Sequence, residues 1–129
     1  MENRNLMMIT MAVGALAVVL GAFGAHALKP YMDEAAAATY QTANRYHFYH
    51  TFLALSYLIW KPLDKTLYKG AIMALIGILI FSGSLYLLSL RSLMPNLPAW
   101  LGAITPLGGL CFILAWLLGM NTLVKKKKN

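Results

Sequence analysis

Charged residues are scarce in this sequence, and acidic residues are the scarcest. Only 12% of the 129 residues are charged and 60% are hydrophobic, whereas soluble domains have about 25% and roughly 45 to 50%. This imbalance excludes an ordinary water-soluble domain and predicts an integral membrane protein. The acidic residues lie at predicted helix ends or in loops, whereas an ion-coupled carrier usually has ionisable relay groups inside its spans. They are Glu2, Asp33, Glu34 and Asp64.

Cysteine is nearly absent as well. The single Cys111 cannot form an intramolecular disulfide, and one cysteine cannot build a CxxC metal site. No internal repeat is visible, so the sequence does not indicate an inverted-repeat transporter. We therefore expect one domain, residues 1–129, that is stabilised by helix packing.

Four long apolar segments are present, at about residues 6–28, 41–60, 70–90 and 106–124. About 20 apolar residues suffice to cross a hydrocarbon core. Asp33 is a suitable N-cap for the second helix, which then extends beyond the bilayer on the outer side. Thr105 and Pro106 predict the N-cap and first residue of the fourth helix. We predict an all-α, four-helix transmembrane bundle, and we expect the first span to be retained because it is too long for a signal peptide.

The distribution of basic residues predicts the orientation. Four spans place both termini and the loop 61–69 on one side of the membrane, and most of the 11 Lys and Arg residues are on that side. The positive-inside rule then places both termini in the cytoplasm. Because the charges are divided among helix flanks, they do not predict a nucleic-acid surface. The run Lys125 to Lys128 is expected to contact anionic lipids.

Small and polar residues gather at one level of the predicted spans. Counting about 1.5 Å per residue from Trp60, His50 lies about 15 Å and His47 about 20 Å towards the outer side. Polar groups in lipid are costly unless they face other helices, so we predict a polar layer in the outer half of the bundle. The candidate ligand-binding residues are His26, Arg45, His47, His50, Ser82, Ser84 and Tyr86, and the candidate structural residues are Gly21, Gly24, Gly83, Thr105, Pro106, Gly108 and Gly109.

Catalytic and metal chemistry are poorly supported by these residues. Metal or haem binding requires converging imidazoles, but His26 should lie well above His50, and a histidine pair from one turn is a weak site. A hydrolase would pair Ser82 or Ser84 with His50, yet no acid lies at that depth to orient the imidazole. We expect no cofactor and no enzymatic activity.

Four motifs occur in series: GAFGAH at 21–26, YQTANRYHFYH at 40–50, FSGSLY at 81–86, and TPLGG at 105–109 followed by Trp116. They resemble the family called domain of unknown function 423, small bacterial membrane proteins akin to the animal transmembrane protein 256. The resemblance covers nearly the whole chain. It implies a four-helix protein of the bacterial inner membrane. It does not imply a particular activity.

Two functions therefore stay open. The first is a non-catalytic accessory or structural role, in which the polar layer supports packing or contact with another membrane protein or a second copy. The second is binding or carriage of a small amphiphile, lipid or quinone in an outer-half pocket, whose polar end would be formed by His47, His50, Ser82, Ser84 and Tyr86. Metal or haem binding through His47 and His50 is a weaker alternative.

Overall fold

The computed structural model describes residues 2–60 and 64–127. These residues form four long helices: α1, Glu2–Ala25; α2, Glu34–Ile59; α3, Lys65–Ser89; and α4, Trp100–Lys127. A short 3-10 turn, Lys29–Tyr31, joins α1 to α2. No strand occurs in these two ranges, so the prediction of an all-α chain is confirmed.

Side-chain caps start α2 and α3. Asp33 accepts a hydrogen bond from Ala36 N at 2.8 Å, which confirms the predicted N-cap of α2. Asp64 accepts a hydrogen bond from Thr66 N at 2.6 Å, and α3 therefore begins at Lys65, five residues before the predicted span. This backbone hydrogen bond also holds the pKa of the Asp64 carboxyl below its usual value.

Helix α3 contains a change of helical type. Lys65–Gly77 and Gly83–Ser89 are α-helical, whereas Ile78–Ser82 between them forms a π-helix. A π segment accommodates an extra residue in the helix and is frequent at functional sites. This one packs against both α2 and α4.

The predicted start of α4 is wrong. The helix begins at Trp100, so Pro106 lies inside it and Thr105 is not its N-cap. Proline removes one N–H donor and crowds the carbonyl four residues earlier. Contacts with the rest of the chain offset this cost, because Leu101 is buried and the Thr105 hydroxyl lies 2.6 Å from the Ser84 hydroxyl of α3.

Among the described residues, three helices are long and apolar enough to cross a membrane: α1, α3 and α4. Only 11% of the apolar window in α1 is buried, so most of its hydrophobic side chains face outward, as contact with lipid requires. Helix α2 is as long, with 26 residues, but it carries more polar side chains.

The principal packing contacts join consecutive helices. The connections 26–33 and 90–99 meet at one end of the molecule, where Ser92 Oγ donates to Tyr31 O at 2.6 Å; we call this the loop end. At the opposite, terminal end, Asn3 Nδ2 donates to Leu58 O at 3.3 Å. Lys61 and Lys128, two of the predicted basic flanking residues, lie outside the described residues.

Glycines allow α3 and α4 to pack with their backbones in contact. A Cβ atom at Gly108 would overlap the backbone nitrogen of Phe81, and one at Gly77 would overlap the Phe112 ring. Gly108 was predicted to be structural, and two further glycines of that prediction have more room. The nearest atom to a Cβ would be 4.0 Å away at Gly83 and 3.8 Å away at Gly109.

This packing predicts the outcome of two matched substitutions in α4. Gly108→Ala should separate α3 from α4 and lower the free energy of unfolding by about 1 to 3 kcal/mol, because a backbone atom cannot yield as a side chain can. Gly102→Ala is the control, since no atom lies within 4 Å of its added Cβ. Thermal unfolding in detergent measures both, and equal stability of the two variants would contradict the predicted contact.

Candidate functional site

Directed hydrogen bonds link α1, α2 and α3 in the half of the molecule near the loop end. Asn44 Nδ2 donates to Ala17 O and to Tyr86 Oη, both at 2.9 Å. Tyr86 Oη lies 3.2 Å from His47 Nδ1, and His47 Nε2 lies 2.9 Å from Val13 O. We call this set the Asn44–Tyr86–His47 network.

The partners fix the direction of each hydrogen bond in this network. Since the Val13 carbonyl can only accept, His47 Nε2 carries the hydrogen and Nδ1 accepts from the Tyr86 hydroxyl. The Tyr86 oxygen in turn accepts from Asn44. His47 is 2% exposed, and its neutral form satisfies both ring nitrogens without any external molecule.

The predicted glycines of α1 lie directly against α2. A Cβ at Gly24 would overlap the Tyr40 ring, and one at Gly21 would lie 3.0 Å from Asn44 Oδ1. The Tyr40 hydroxyl donates to Leu20 O, and its ring packs edge-on against Tyr86 with 4.9 Å between ring centroids. Both glycines therefore give side chains of α2 access to α1.

His50 is also buried, but it faces α4. Trp116 Nε1 donates to His50 Nε2 at 3.2 Å, and His50 Nδ1 lies 2.9 Å from Tyr46 O on its own helix. Because an indole N–H can only donate, Nε2 accepts and Nδ1 carries the hydrogen. The imidazole stacks on the Phe112 ring with 3.5 Å between centroids.

Phe81 completes an aromatic cluster around His50. Its ring centroid lies 4.9 Å from that of Tyr46 and 5.3 Å from that of Phe112. This cluster was not among the predicted site residues. The sequence contains one indication of it. Tyr46 and His50, and likewise Phe112 and Trp116, are four residues apart, which places each pair on one face of its helix.

The two serines near the π segment do not contact His50 through hydrogen bonds. Ser84 Oγ donates to Phe81 O at 3.0 Å, so the short bond between Ser84 and Thr105 has Thr105 as its donor. Ser82 is fully buried, and its hydroxyl has no hydrogen-bond partner in the described part of the chain. The pairing of serine with histidine that a hydrolase needs is not assembled.

The remaining candidates lie apart from the buried layer. His26 is exposed in the turn after α1, while His47 faces α1 and α3, and His50 faces α4. Arg45 is exposed and donates to Gln41 Oε1 at 3.3 Å. Across residues 2–60 and 64–127, no three His, Cys, Asp or Glu side chains come close enough together to hold a metal ion.

Two of the clefts on the surface of the described residues lie beside these groups, and neither of the two is lined by His47 or His50. The first, the loop-end cleft, has a volume of about 280 Å³ and lies between α1 and α2. The second, the apolar groove, has a volume of about 380 Å³ and lies in the terminal half. Its walls include Leu53, Tyr57, Trp60, Trp116 and Met120.

Long apolar helices with outward hydrophobic side chains and inward polar groups define a helical integral membrane protein. A profile of the family described as "Protein of unknown function (DUF423)" matches residues 20–109. The chain belongs to this family, as the four sequence motifs indicated.

Curated relatives agree with this assignment over most of their length. The chain is similar to the UPF0382 membrane protein YwdK of Bacillus subtilis, with 39% identity over 85% of this chain and 88% of the relative. It is similar to a UPF0382 membrane protein of Haemophilus influenzae, with 34% identity over 91% and 90%. It is also similar to the UPF0382 inner membrane protein YgdD of Escherichia coli K12, with 31% identity over 100% and 96%. No solved structure matches the chain.

The network predicts that the Tyr86 hydroxyl stabilises the fold. Tyr86→Phe should leave His47 Nδ1 without its donor and lower the free energy of unfolding by about 1 to 3 kcal/mol, because a buried polar atom would lose its partner. Tyr49→Phe is the matched control, since Tyr49 is 56% exposed and its change should have little effect. Denaturation in detergent distinguishes the two, and an unchanged midpoint for Tyr86→Phe would contradict the network.

Proposed function

We propose that this protein crosses the bacterial inner membrane four times, with both termini in the cytoplasm, and serves there as a non-catalytic accessory or structural protein. The three apolar helices and the E. coli relative, which is named an inner membrane protein, support the location. Contacts of α2 with both α1 and α3 along the molecule support α2 as the fourth span. The lysine run after 124 then meets anionic lipids of the cytoplasmic leaflet.

The observation that carries the structural role is that both ring nitrogens of both buried histidines are used within the chain. Val13 O and Tyr86 Oη occupy those of His47, and Tyr46 O and Trp116 Nε1 occupy those of His50. A general base or metal ligand requires a nitrogen that is free to accept from substrate or to bind a metal. In the proposed structural role, the two buried histidines hold neighbouring helices together.

The outward face of α2 supports contact with a second membrane protein. Tyr46, Tyr49 and Phe52 are 40%, 56% and 63% exposed. Aromatic residues are enriched at protein interfaces because they supply a large contact area at low conformational cost. A partner helix or a second copy of this chain would pack on this face.

The apolar groove favours a second candidate function, the binding of an apolar molecule such as a quinone or lipid chain. Its walls are almost wholly apolar, and they include Trp116, which donates a hydrogen bond to His50. The predicted polar end at His47 and Ser84 is not part of this groove, so this candidate differs from the outer-half pocket expected from the sequence.

The topology is tested by labelling single cysteines in a Cys111→Ser background. Asn96→Cys lies in the connection at the loop end, and Asn5→Cys lies near the start of α1; both native residues are exposed. A membrane-impermeant maleimide should label Asn96→Cys in intact spheroplasts and label Asn5→Cys only after permeabilisation. The reverse pattern, or labelling of both in intact spheroplasts, would refute the proposed orientation.

The two candidate functions are separated by mass spectrometry of the protein purified in mild detergent. The structural role predicts co-purifying protein and no stoichiometric quinone or lipid whose retention depends on the groove. Ser56→Trp, which places an indole in the groove, is the matched variant. A ligand present in wild-type protein and lost from Ser56→Trp would favour the second candidate over the first.

A further inference from the structure

The loop-end cleft combines a small volume with an unusual set of polar groups. It is lined by Gly21 and Gly24 of α1 and by Tyr40, Gln41, Asn44 and Arg45 of α2, among others. Because the glycines have no side chains, the wall that they form on α1 is backbone. The polar side chains of α2 form the opposite wall. The cleft is therefore a notch between α1 and α2 that is lined by polar groups of α2.

Hydrogen-bond donors on one wall of the cleft are only partly used. One guanidinium nitrogen of Arg45 donates to Gln41 Oε1, which leaves the other guanidinium N–H groups and the Gln41 amide N–H groups for an external acceptor. Glu34 begins α2 eleven residues before Arg45, about 16 Å away along the helix axis. No acidic residue of α2 is therefore close enough to form an ion pair with Arg45.

A fixed hydrogen-bond acceptor lies near these donors. Asn44 Nδ2 is held by Ala17 O and Tyr86 Oη, so the orientation of its amide is set by the network. Asn44 Oδ1 then points towards Gly21 and accepts no hydrogen bond from the described residues. The cleft consequently presents cationic donors and a neutral acceptor together.

The position of the cleft along α1 matches the level of lipid headgroups. Gly21 and Gly24 lie four residues and one residue before Ala25, the last residue of α1. These separations correspond to about 6 Å and 1.5 Å from the helix end. In the orientation proposed above, this level is the interface of the outer leaflet.

We propose that the loop-end cleft binds the phosphodiester of an anionic lipid headgroup that also carries a hydroxyl, as phosphatidylglycerol does. Arg45 and Gln41 donate to the phosphate oxygens, and Asn44 Oδ1 accepts from the headgroup hydroxyl. Guanidinium binds phosphate through charge-assisted hydrogen bonds that are stronger than neutral ones. This site is separate from the apolar groove and does not depend on the role proposed for the protein; only its assignment to the outer leaflet rests on the proposed topology.

The test compares lipid retention by native mass spectrometry after release of the full chain from nanodiscs of equal phosphatidylglycerol and phosphatidylcholine. Wild-type protein should retain phosphatidylglycerol preferentially. Arg45→Gln should reduce that preference about tenfold, as expected for loss of a hydrogen bond to a charged group. Arg45→Lys should fall between them, because lysine keeps the charge and loses the planar fork.

Two variants control for charge and for the other cleft. Lys29→Gln removes a positive charge near the loop end without touching the cleft, and Ser56→Trp fills the apolar groove; both should retain the wild-type preference. If Arg45→Gln does not fold, Gln41→Ala replaces it and should lower the preference as well.

Three results of the lipid-retention measurements would overturn the proposal. They are equal retention of the two lipids by wild-type protein, an unchanged preference in the cleft variants, and loss of the preference in Lys29→Gln to the same extent. Glycerol 3-phosphate added to phosphatidylcholine nanodiscs distinguishes a soluble ester from a lipid. If it raises the thermal midpoint as much as phosphatidylglycerol does, the ligand is not a lipid.

Discussion

A polar side chain inside a bilayer must find its hydrogen-bond partner on the protein, because the hydrocarbon core holds no water. The Asn44 amide nitrogen, the Tyr86 hydroxyl and the His47 ring nitrogens meet this requirement, and their hydrogen bonds end on the backbone carbonyls of α1. Helix α1 can therefore lack polar side chains at this level. It needs glycine instead, because only a residue without a side chain lets α2 approach the α1 backbone so closely.

The same constraint explains why α2 is the most polar of the four helices. Although His47 and His50 are only three residues apart, they serve different interfaces. His47 joins α2 to α1 and α3, and His50 joins α2 to α4 through Trp116. A helix that contacts all its neighbours can bury polar groups that a helix facing lipid cannot. The lower hydropathy of α2 is thus a consequence of its place in the fold.

Much of the fold was predictable, because helix length, hydropathy and the Asp33 cap are local signals. The start of α4 was not predictable. The rule that places proline at a helix start considers only neighbouring residues, whereas the first turns of α4 are held by a hydrogen bond between Thr105 and Ser84 of another helix. The inward position of His47 and His50 followed from the cost of polarity in lipid. That the two side chains contact different neighbouring helices did not follow from the sequence, because residues three apart are expected on one face of a helix. Nothing in the sequence separates Phe81, which packs on Tyr46, from Phe52, which is exposed.

The π segment of α3 depends on these same contacts. Ile78–Ser82 accommodates one more residue than an α-helix would, and it leaves the buried Ser82 hydroxyl without a partner in the described chain. Returning this segment to α-helix would rotate everything beyond it by about 100°. Tyr86 would then leave Asn44 and His47, and Ser84 would leave Thr105. One orphaned hydroxyl costs less than the loss of both sets of hydrogen bonds, so the network on one side of α3 and the Thr105 contact on the other hold the π segment in place.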